Sequence, residues 1–218
     1  MFRPSYLREG PGIDKNAPPK TGLALAAEIF VREFWQIVKV NFLFLVCALP
    51  VVTFGAARAA MARCTVNMVR DIPNDVWTDF RRAIRQDFAR NTLFGLAELA
   101  LLVLGFALLH LAAELGSFLP SMLGLLLLGI TTVFFQNFWT IAASLDLPTG
   151  AAAQNAWLLG LLRPGFSAVG LAAGAVIVLP CLLFFPLSLP VCLLLPFGLE
   201  SFVSSLLCWS GCKRYLIR

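Results

Sequence analysis

Three charged residues interrupt long apolar stretches of this sequence and are the first candidates for chemistry: Arg63, Glu98 and Glu200. A charge inside an apolar stretch is costly, so such side chains pair with one another or serve a function. Counting from the ends of the stretches at 1.5 Å per residue puts each of them roughly 10 to 15 Å from a membrane surface. Three amides could join them from other helices: Asn41, Gln136 and Asn137.

Two interpretations of this polar cluster stay open. It is either a substrate or proton site, or a structural salt bridge that lets an arginine-bearing helix remain in lipid. Pro196 and Gly198, just before Glu200, favour the first weakly, because a broken helix exposes carbonyl groups beside a carboxylate.

Catalytic patterns are missing from the sequence. It contains no GxSxG, HExxH or Walker-type glycine loop, and its one histidine, His110, cannot supply both an acid/base group and metal ligands. Cys208 and Cys212 are four residues apart, but zinc needs further ligands and no set of them accompanies this pair. The sequence therefore predicts a protein that is not an enzyme, with no catalytic residue, cofactor or metal.

The composition indicates the elements that must position these residues. Of 218 residues, 59% are hydrophobic and 13% are charged, whereas soluble domains average about 25% charged. The apolar residues fall in blocks close to the roughly 20 residues that cross a bilayer as a helix. These features predict an all-α, polytopic membrane helical bundle. The net charge of +5 is typical of basic membrane flanks, and no nucleic-acid partner is predicted.

Five blocks are clear spans: 28–49, 91–113, 119–143, 165–187 and 190–210. The stretch 56–70, "AARAAMARCTVNMVR", is short and carries two arginines, so it is either part of a long cytoplasmic segment or a further span. A sixth span keeps nearly all basic residues on one side, as the positive-inside bias requires. The sequence thus predicts six spans, with both termini cytoplasmic.

The segment "LPVVTFG" is then a hairpin corner at Pro50, Thr53 and Gly55. Proline ends the first helix, and glycine permits the tight reversal into the second.

An amphipathic segment, "VWTDFRRAIRQDFAR", separates the first hairpin from the next span. We expect it to lie on the inner leaflet as an interfacial helix whose basic groups bind lipid headgroups. Its apolar and basic positions are Trp77, Phe80, Arg81, Arg82, Arg85 and Phe88. The spacing suggests three units (28–73, 76–148 and 155–212), each an interfacial helix followed by a two-span hairpin. They form one transmembrane domain, 28–212, between cytoplasmic tails 1–27 and 213–218.

The first 95 residues or so resemble the YesL-like family of small bacterial integral membrane proteins. The similarity lies in "EIFVREFWQIVKVNFLFLVCALPVVTFGAARAAMARCTVNMVRD" and "WTDFRRAIRQDFARN", together with the N-terminal "MFRPSYLREGPGIDKNAPPK". The family's corner motif stands here as Asn41, Leu49, Pro50, Thr53, Gly55 and Ala56. Arg58 departs from the small residues that often follow the glycine in that family.

The resemblance implies no established activity and no known binding residues. Members of the family are often encoded beside carbohydrate ABC-importer components, which implies a role accessory to sugar uptake and contact with importer subunits. The alternative is a small transporter or channel that uses the polar cluster. A homo-oligomer is compatible with either function.

Overall fold

The computed structural model describes residues 22–73, 75–145, 147–184 and 187–215, and all regular elements in these ranges are helices. The predicted tail residues 1–21 and 216–218 lie outside them. The helices are α1 (Leu23–Ala48), α2 (Phe54–Val69), α3 (Val76–Arg85), α4 (Phe88–Leu115), α5 (Phe118–Ser144), α6 (Thr149–Leu162), α7 (Pro164–Leu183), α8 (Leu189–Leu194) and α9 (Pro196–Tyr215). The all-α prediction is confirmed.

The chain divides by its internal contacts into the units Met1–Arg32 and Glu33–Arg218. The described part of the first unit contains the opening turns of α1, and the second holds the elements discussed below. The prediction of one domain over 28–212 with three repeats stays a prediction.

Two helices of the described part, α4 and α5, are long and apolar enough to cross a membrane by themselves. The pair α6 and α7 meets the same criterion together, with a 98° bend between Thr149–Leu162 and Pro164–Ile177. Arg163 stands at this bend, directly before Pro164, and proline disfavours a helical conformation in the residue before it. By length and composition these apolar helices are compatible with a membrane protein, while the number of six spans stays a prediction.

Helix α2 is the most enclosed element and packs against α3, α4, α5 and α9. Most of its side chains are buried, and many are small: Gly55, Ala56, Ala57, Ala60, Met61, Ala62, Cys64, Thr65, Val66 and Met68. Small residues let neighbouring helices approach closely. Protein therefore surrounds most of this arginine-bearing stretch, and only a small part of its surface is left to meet lipid.

The corner forms, but not as its residue types suggested. After α1 ends at Ala48, Val51–Thr53 make one 3-10 turn, and the Thr53 hydroxyl donates a hydrogen bond to the Pro50 carbonyl at 2.8 Å. Gly55 is already helical and has no positive φ. Its lack of a side chain serves helix packing instead, since a Cβ there would lie 2.0 Å from the backbone oxygen of Asn91.

The corner lies nearer the beginning of α4 than its end. Gly55 contacts Gly95, which is seven residues after the first residue of α4, or roughly 10 Å along the axis. Another twenty residues of α4, roughly 30 Å, follow Gly95. At the corner itself, the apolar side chains of Leu49, Val51 and Val52 are exposed.

The predicted interfacial helix exists as α3, with two corrections. Phe80 is buried and α3 packs on α2, so part of its apolar face meets protein rather than lipid. Phe88 does not belong to α3 but begins α4. Trp77 is exposed, as are three arginines of the helix: Arg81, Arg82 and Arg85.

No separate interfacial helix precedes the first hairpin within the described residues, because α1 is continuous from Leu23.

The last predicted span is broken. Helix α8 ends at Leu194, Leu195 has φ −140° and ψ −34°, and α9 begins at Pro196. Proline lacks the N–H that would continue a helix and suits the first position of a new one. The break precedes Glu200 by one turn, as the proline and glycine of this segment suggested.

Candidate functional site

A buried ion-pair cluster is built on Arg58, Glu98 and Glu200, with Arg58 in the place expected for Arg63. The Arg58 Nη1 atom lies 2.9 Å from Glu200 Oε2, and its Nη2 atom lies 3.4 Å from Glu98 Oε1. The three side chains are 15%, 11% and 6% exposed for Arg58, Glu200 and Glu98. One guanidinium therefore joins two carboxylates from different helices, α4 and α9, in a buried setting.

The close crossing of α2 and α4 positions this ion pair. Gly55 lies against Gly95, and further along Arg63 shares a cavity with Arg90, so the two helices run in opposite directions. Helical side chains point toward the N-terminus of their own helix. Arg58, three residues after Gly55, therefore reaches back along α2 toward Glu98, which lies beyond Gly95 in α4.

Further hydrogen bonds hold the two carboxylates. Trp139 Nε1 of α5 donates to Glu98 Oε2 at 2.8 Å, and the Ser204 hydroxyl donates to Glu200 Oε1 at 3.0 Å. A cavity of about 10 Å³ lies beside the cluster and is lined by Arg58, Trp139, Thr140 and Glu200, among others. That is about the space of a single water molecule.

The charges within the cluster do not balance formally. Two carboxylates against one guanidinium leave an excess of one negative charge in a buried site, and burial penalises an unpaired charge. Arg58 Nε has no hydrogen-bond partner among the described residues. A water, a proton or a cation in the small cavity would each reduce one of these costs.

A seam of hydroxyl groups continues from the cluster between α2 and α9. Thr65 Oγ1 lies 3.1 Å from Ser201 Oγ and 2.9 Å from Ser205 Oγ. Sequence reasoning missed this seam. The signal that could have revealed it is the spacing of the serines in "ESFVSSLL". The second and third serines follow the first by three and four residues, so all three lie on one helix face.

Asn41 lies outside the charged cluster and caps the broken helix. Its Oδ1 atom accepts hydrogen bonds from the backbone N–H groups of Phe197 at 2.9 Å and Gly198 at 3.0 Å, and its Nδ2 atom donates to the Leu193 carbonyl at 2.9 Å. These groups lack helical partners because the helix is interrupted. Asn41 thus does for α9 what an N-cap side chain does within one helix.

Arg63 does not reach Glu98 or Glu200, and this expectation is corrected. It is half-buried and lines a separate cavity beside Arg90 and Asn91. Arg63 follows Arg58 by five residues, which turns it about 140° around α2 at 100° per residue. It therefore faces a different neighbour.

The two amides of α5 take different positions. Gln136 borders the small cavity and packs on Gly170 of α7, where a Cβ would lie 2.1 Å from Gln136 Nε2. Its Oε1 atom has no hydrogen-bond partner among the described residues. Asn137 is buried one position further along but lies outside the ion-pair network.

The cysteine and histidine pairs have opposite environments. Cys208 and Cys212 are buried, with their sulfur atoms 4.0 Å apart. His110 Nδ1 lies 3.5 Å from Glu114 Oε1, and both side chains are largely exposed. Within the described ranges, no group of three or more His, Cys, Asp or Glu residues could hold a metal ion.

The fold and the cluster define an all-helical protein with membrane-capable helices and a buried Glu–Arg–Glu network. A family model described as "Protein of unknown function, DUF624" matches residues 37–109, about a third of the chain. The match includes Asn41, the corner, both arginines of α2 and Glu98, while Glu200 lies beyond it. No curated protein and no solved structure matches the chain.

Proposed function

We propose that this is a non-enzymatic integral membrane protein of the YesL-like type, accessory to or regulatory of carbohydrate (ABC-type) uptake in the bacterial plasma membrane. The observation that supports a role other than transport is the Glu98–Arg58–Glu200 network. Its charged groups bind one another and leave space for about one water. A substrate site needs uncommitted polar groups and room for the ligand. The link to an importer is supported by the sequence resemblance alone, because the family model that matches residues 37–109 describes no function.

Contacts with a partner would be made through the apolar surface of the membrane helices. Along α4 and α5, large apolar side chains such as Phe106 and Leu125 are exposed, 53% and 63% respectively. Lipid covers such a surface in a monomer, and importer subunits or a second copy of this chain would replace part of that lipid.

The proposed threading has six segments that enter the membrane and keeps both termini cytoplasmic. The basic residues of the flanks support it, since they then share one leaflet. Gly55 lies beside Gly95, only about seven residues into α4. This position supports a refinement of the threading, in which the first hairpin turns within the bilayer instead of crossing it. The exposed apolar side chains at its corner suit hydrocarbon better than water.

A second candidate, a small proton-coupled transporter or channel, is favoured by one observation. The cluster holds one carboxylate more than it has guanidinium groups, next to a water-sized cavity and a broken helix. Proton sites in transporters use buried carboxylates in such settings.

Site-specific crosslinking tests the first candidate. A photoreactive residue at Phe106 or Leu125, used in native membranes, is expected to capture a subunit of a carbohydrate importer that mass spectrometry identifies. The same probe at exposed Asp75, before α3, is the control for adventitious capture. If the probes at Phe106 and at Leu125 both capture only lipid or a second copy of the chain, the accessory role is contradicted.

Flux measurements separate the two candidates. Proteoliposomes with a trapped pH-sensitive dye are expected to show the same proton leak for the native protein and for Glu98→Gln and Glu200→Gln. A leak or sugar uptake that the native protein supports, and that both variants lose while remaining folded, would favour the transporter.

A further inference from the structure

A cavity of about 240 Å³ lies where α4 begins and α5 ends, separate from the ion-pair cluster. Its polar lining is Arg63, Gln86, Asp87, Arg90 and Asn91, and alanine and leucine side chains form much of the rest. Roughly 10 to 15 Å³ of such space holds one water. The cavity therefore admits a polyatomic ligand, and its small alanine walls are what leave the space open.

The charges in this cavity leave one guanidinium without a counter-ion. Arg90 Nη2 lies 3.0 Å from Asp87 Oδ2, and Arg90 Nε donates to Asn91 Oδ1 at 3.4 Å. Arg63 makes no hydrogen bond or ion pair with any residue in the described part of the chain. A half-buried arginine has lost part of its hydration, so an anion that enters the cavity gains a charge-assisted hydrogen bond there.

The position of the cavity along the helices is the one expected of a membrane surface. It is bounded at the beginning of α4 by Gln86, Asp87, Arg90 and Asn91, and at the end of α5 by Ala142, Ala143, Leu145 and Leu147. These are the adjacent ends of the two helices long enough to cross a bilayer. Helix α3 leads into this end of α4 and contributes Ala83 to the cavity wall. It carries the exposed side chains of Trp77, Arg81, Arg82 and Arg85. Basic side chains and tryptophan concentrate at this level because lipid headgroups lie there.

We propose that this cavity is a binding site for a phosphate group, with Arg63 as its main ligand. The guanidinium offers two parallel N–H donors that match two phosphate oxygens, and Gln86 and Asn91 supply amide groups at the wall. Asp87 is occupied by Arg90, so its carboxylate does not leave the site net negative. The same chemistry would bind the headgroup of an anionic phospholipid or a free phosphate monoester.

The test compares phosphate-dependent stabilisation of the full-length protein in a neutral detergent. One arm titrates inorganic phosphate or glycerol phosphate, and the other adds phosphatidylglycerol with diacylglycerol as its phosphate-free counterpart. We expect a rise in melting temperature in at least one arm and a tenfold or greater loss of apparent affinity in Arg63→Gln. Arg63 bonds nothing in the described part, so this substitution removes no interaction that holds the fold.

Arg81→Gln is the matched control, because it removes the same charge from the exposed face of α3 outside the cavity. A rise in both arms, or with free phosphate alone, identifies a soluble phosphate ligand. A rise with phosphatidylglycerol alone identifies a lipid headgroup. Equal responses of the native protein, Arg63→Gln and Arg81→Gln in both arms would overturn the proposal, as would no response at all. This inference is independent of the proposed importer function.

Discussion

Gly55 of α2 and Gly95 of α4 cross in direct backbone contact, so that a Cβ added to Gly95 would lie 2.1 Å from the Gly55 Cα. The crossing stands one turn from both Arg58 and Glu98, and it brings the two helices close enough for their side chains to pair. Packing and electrostatics in this bundle are therefore coupled: the glycines set the distance over which the buried charges interact.

Gly95→Ala should consequently destabilise the protein by about 1–3 kcal/mol or more, because neither backbone can yield to the added methyl group. Thermal unfolding in detergent measures this change. Gly129→Ala in α5 is the control, since nothing lies within 4 Å of its Cβ position and an alanine in a helix gains about 0.5–1 kcal/mol over glycine. Equal melting temperatures for the two variants would contradict the close crossing.

Arg58→Gln should destabilise the protein by about 3–5 kcal/mol, because it leaves two carboxylates buried without their cation. Arg63→Gln, in the same helix, should change stability by less than about 1 kcal/mol because Arg63 makes no ion pair in the described part. Thermal or chemical unfolding of both variants under the same conditions provides the comparison. A similar loss of stability in both variants would show that any positive charge on α2 is stabilising, and not specifically the ion pairs of Arg58.

A compensating variant isolates the electrostatic part of this effect. Replacing Glu98 and Glu200 by glutamine in the Arg58→Gln background removes both unpaired charges while it keeps the side-chain shapes. The triple variant should melt above Arg58→Gln alone. A triple variant that melts at the same or a lower temperature would indicate that lost packing of the arginine, rather than unpaired charge, causes the destabilisation.

Asn41→Ala should cost about 2–4 kcal/mol, because it removes the cap of α9 and leaves the Leu193 carbonyl unsatisfied. Asn137→Ala is the control: Asn137 is also a buried residue, but its side chain makes no hydrogen bond among the described residues. Hydrogen exchange at the N–H groups of Phe197 and Gly198 should rise in Asn41→Ala only. Unchanged protection at these two sites would contradict the capping role.

The hydropathy pattern predicted most helices, and counting depth along them predicted that Glu98 and Glu200 could meet. Depth is a one-dimensional quantity that follows from 1.5 Å per residue. The choice between Arg58 and Arg63 depends instead on how α2 is rotated about its axis. The two arginines of α2 lie about 140° apart around the helix at 100° per residue, so its sequence shows no single polar face from which that rotation could be read.

The roles of Gly55 and Asn41 escaped sequence reasoning for a related reason. A glycine after a proline corner fits a tight turn as well as a close helix crossing, and only the position of α4 distinguishes them. Asn41 caps a helix that begins 155 residues later, at Pro196. A contact at that separation leaves no local pattern, whereas a cap within one helix does.

Cysteine labelling should show that the corner turns inside the membrane. Gly55 is level with Gly95, so Val52→Cys should react with a membrane-impermeant maleimide from neither side. Asp75→Cys should react only after the membrane is permeabilised, which gives the reagent access to the cytoplasmic side. Ser117→Cys, between α4 and α5, should react in intact cells, from outside. The unmodified chain corrects for its native cysteines. Labelling of Val52→Cys from outside would instead mean that the first hairpin crosses fully, and labelling only from the cytoplasm would place the corner there and support five spans.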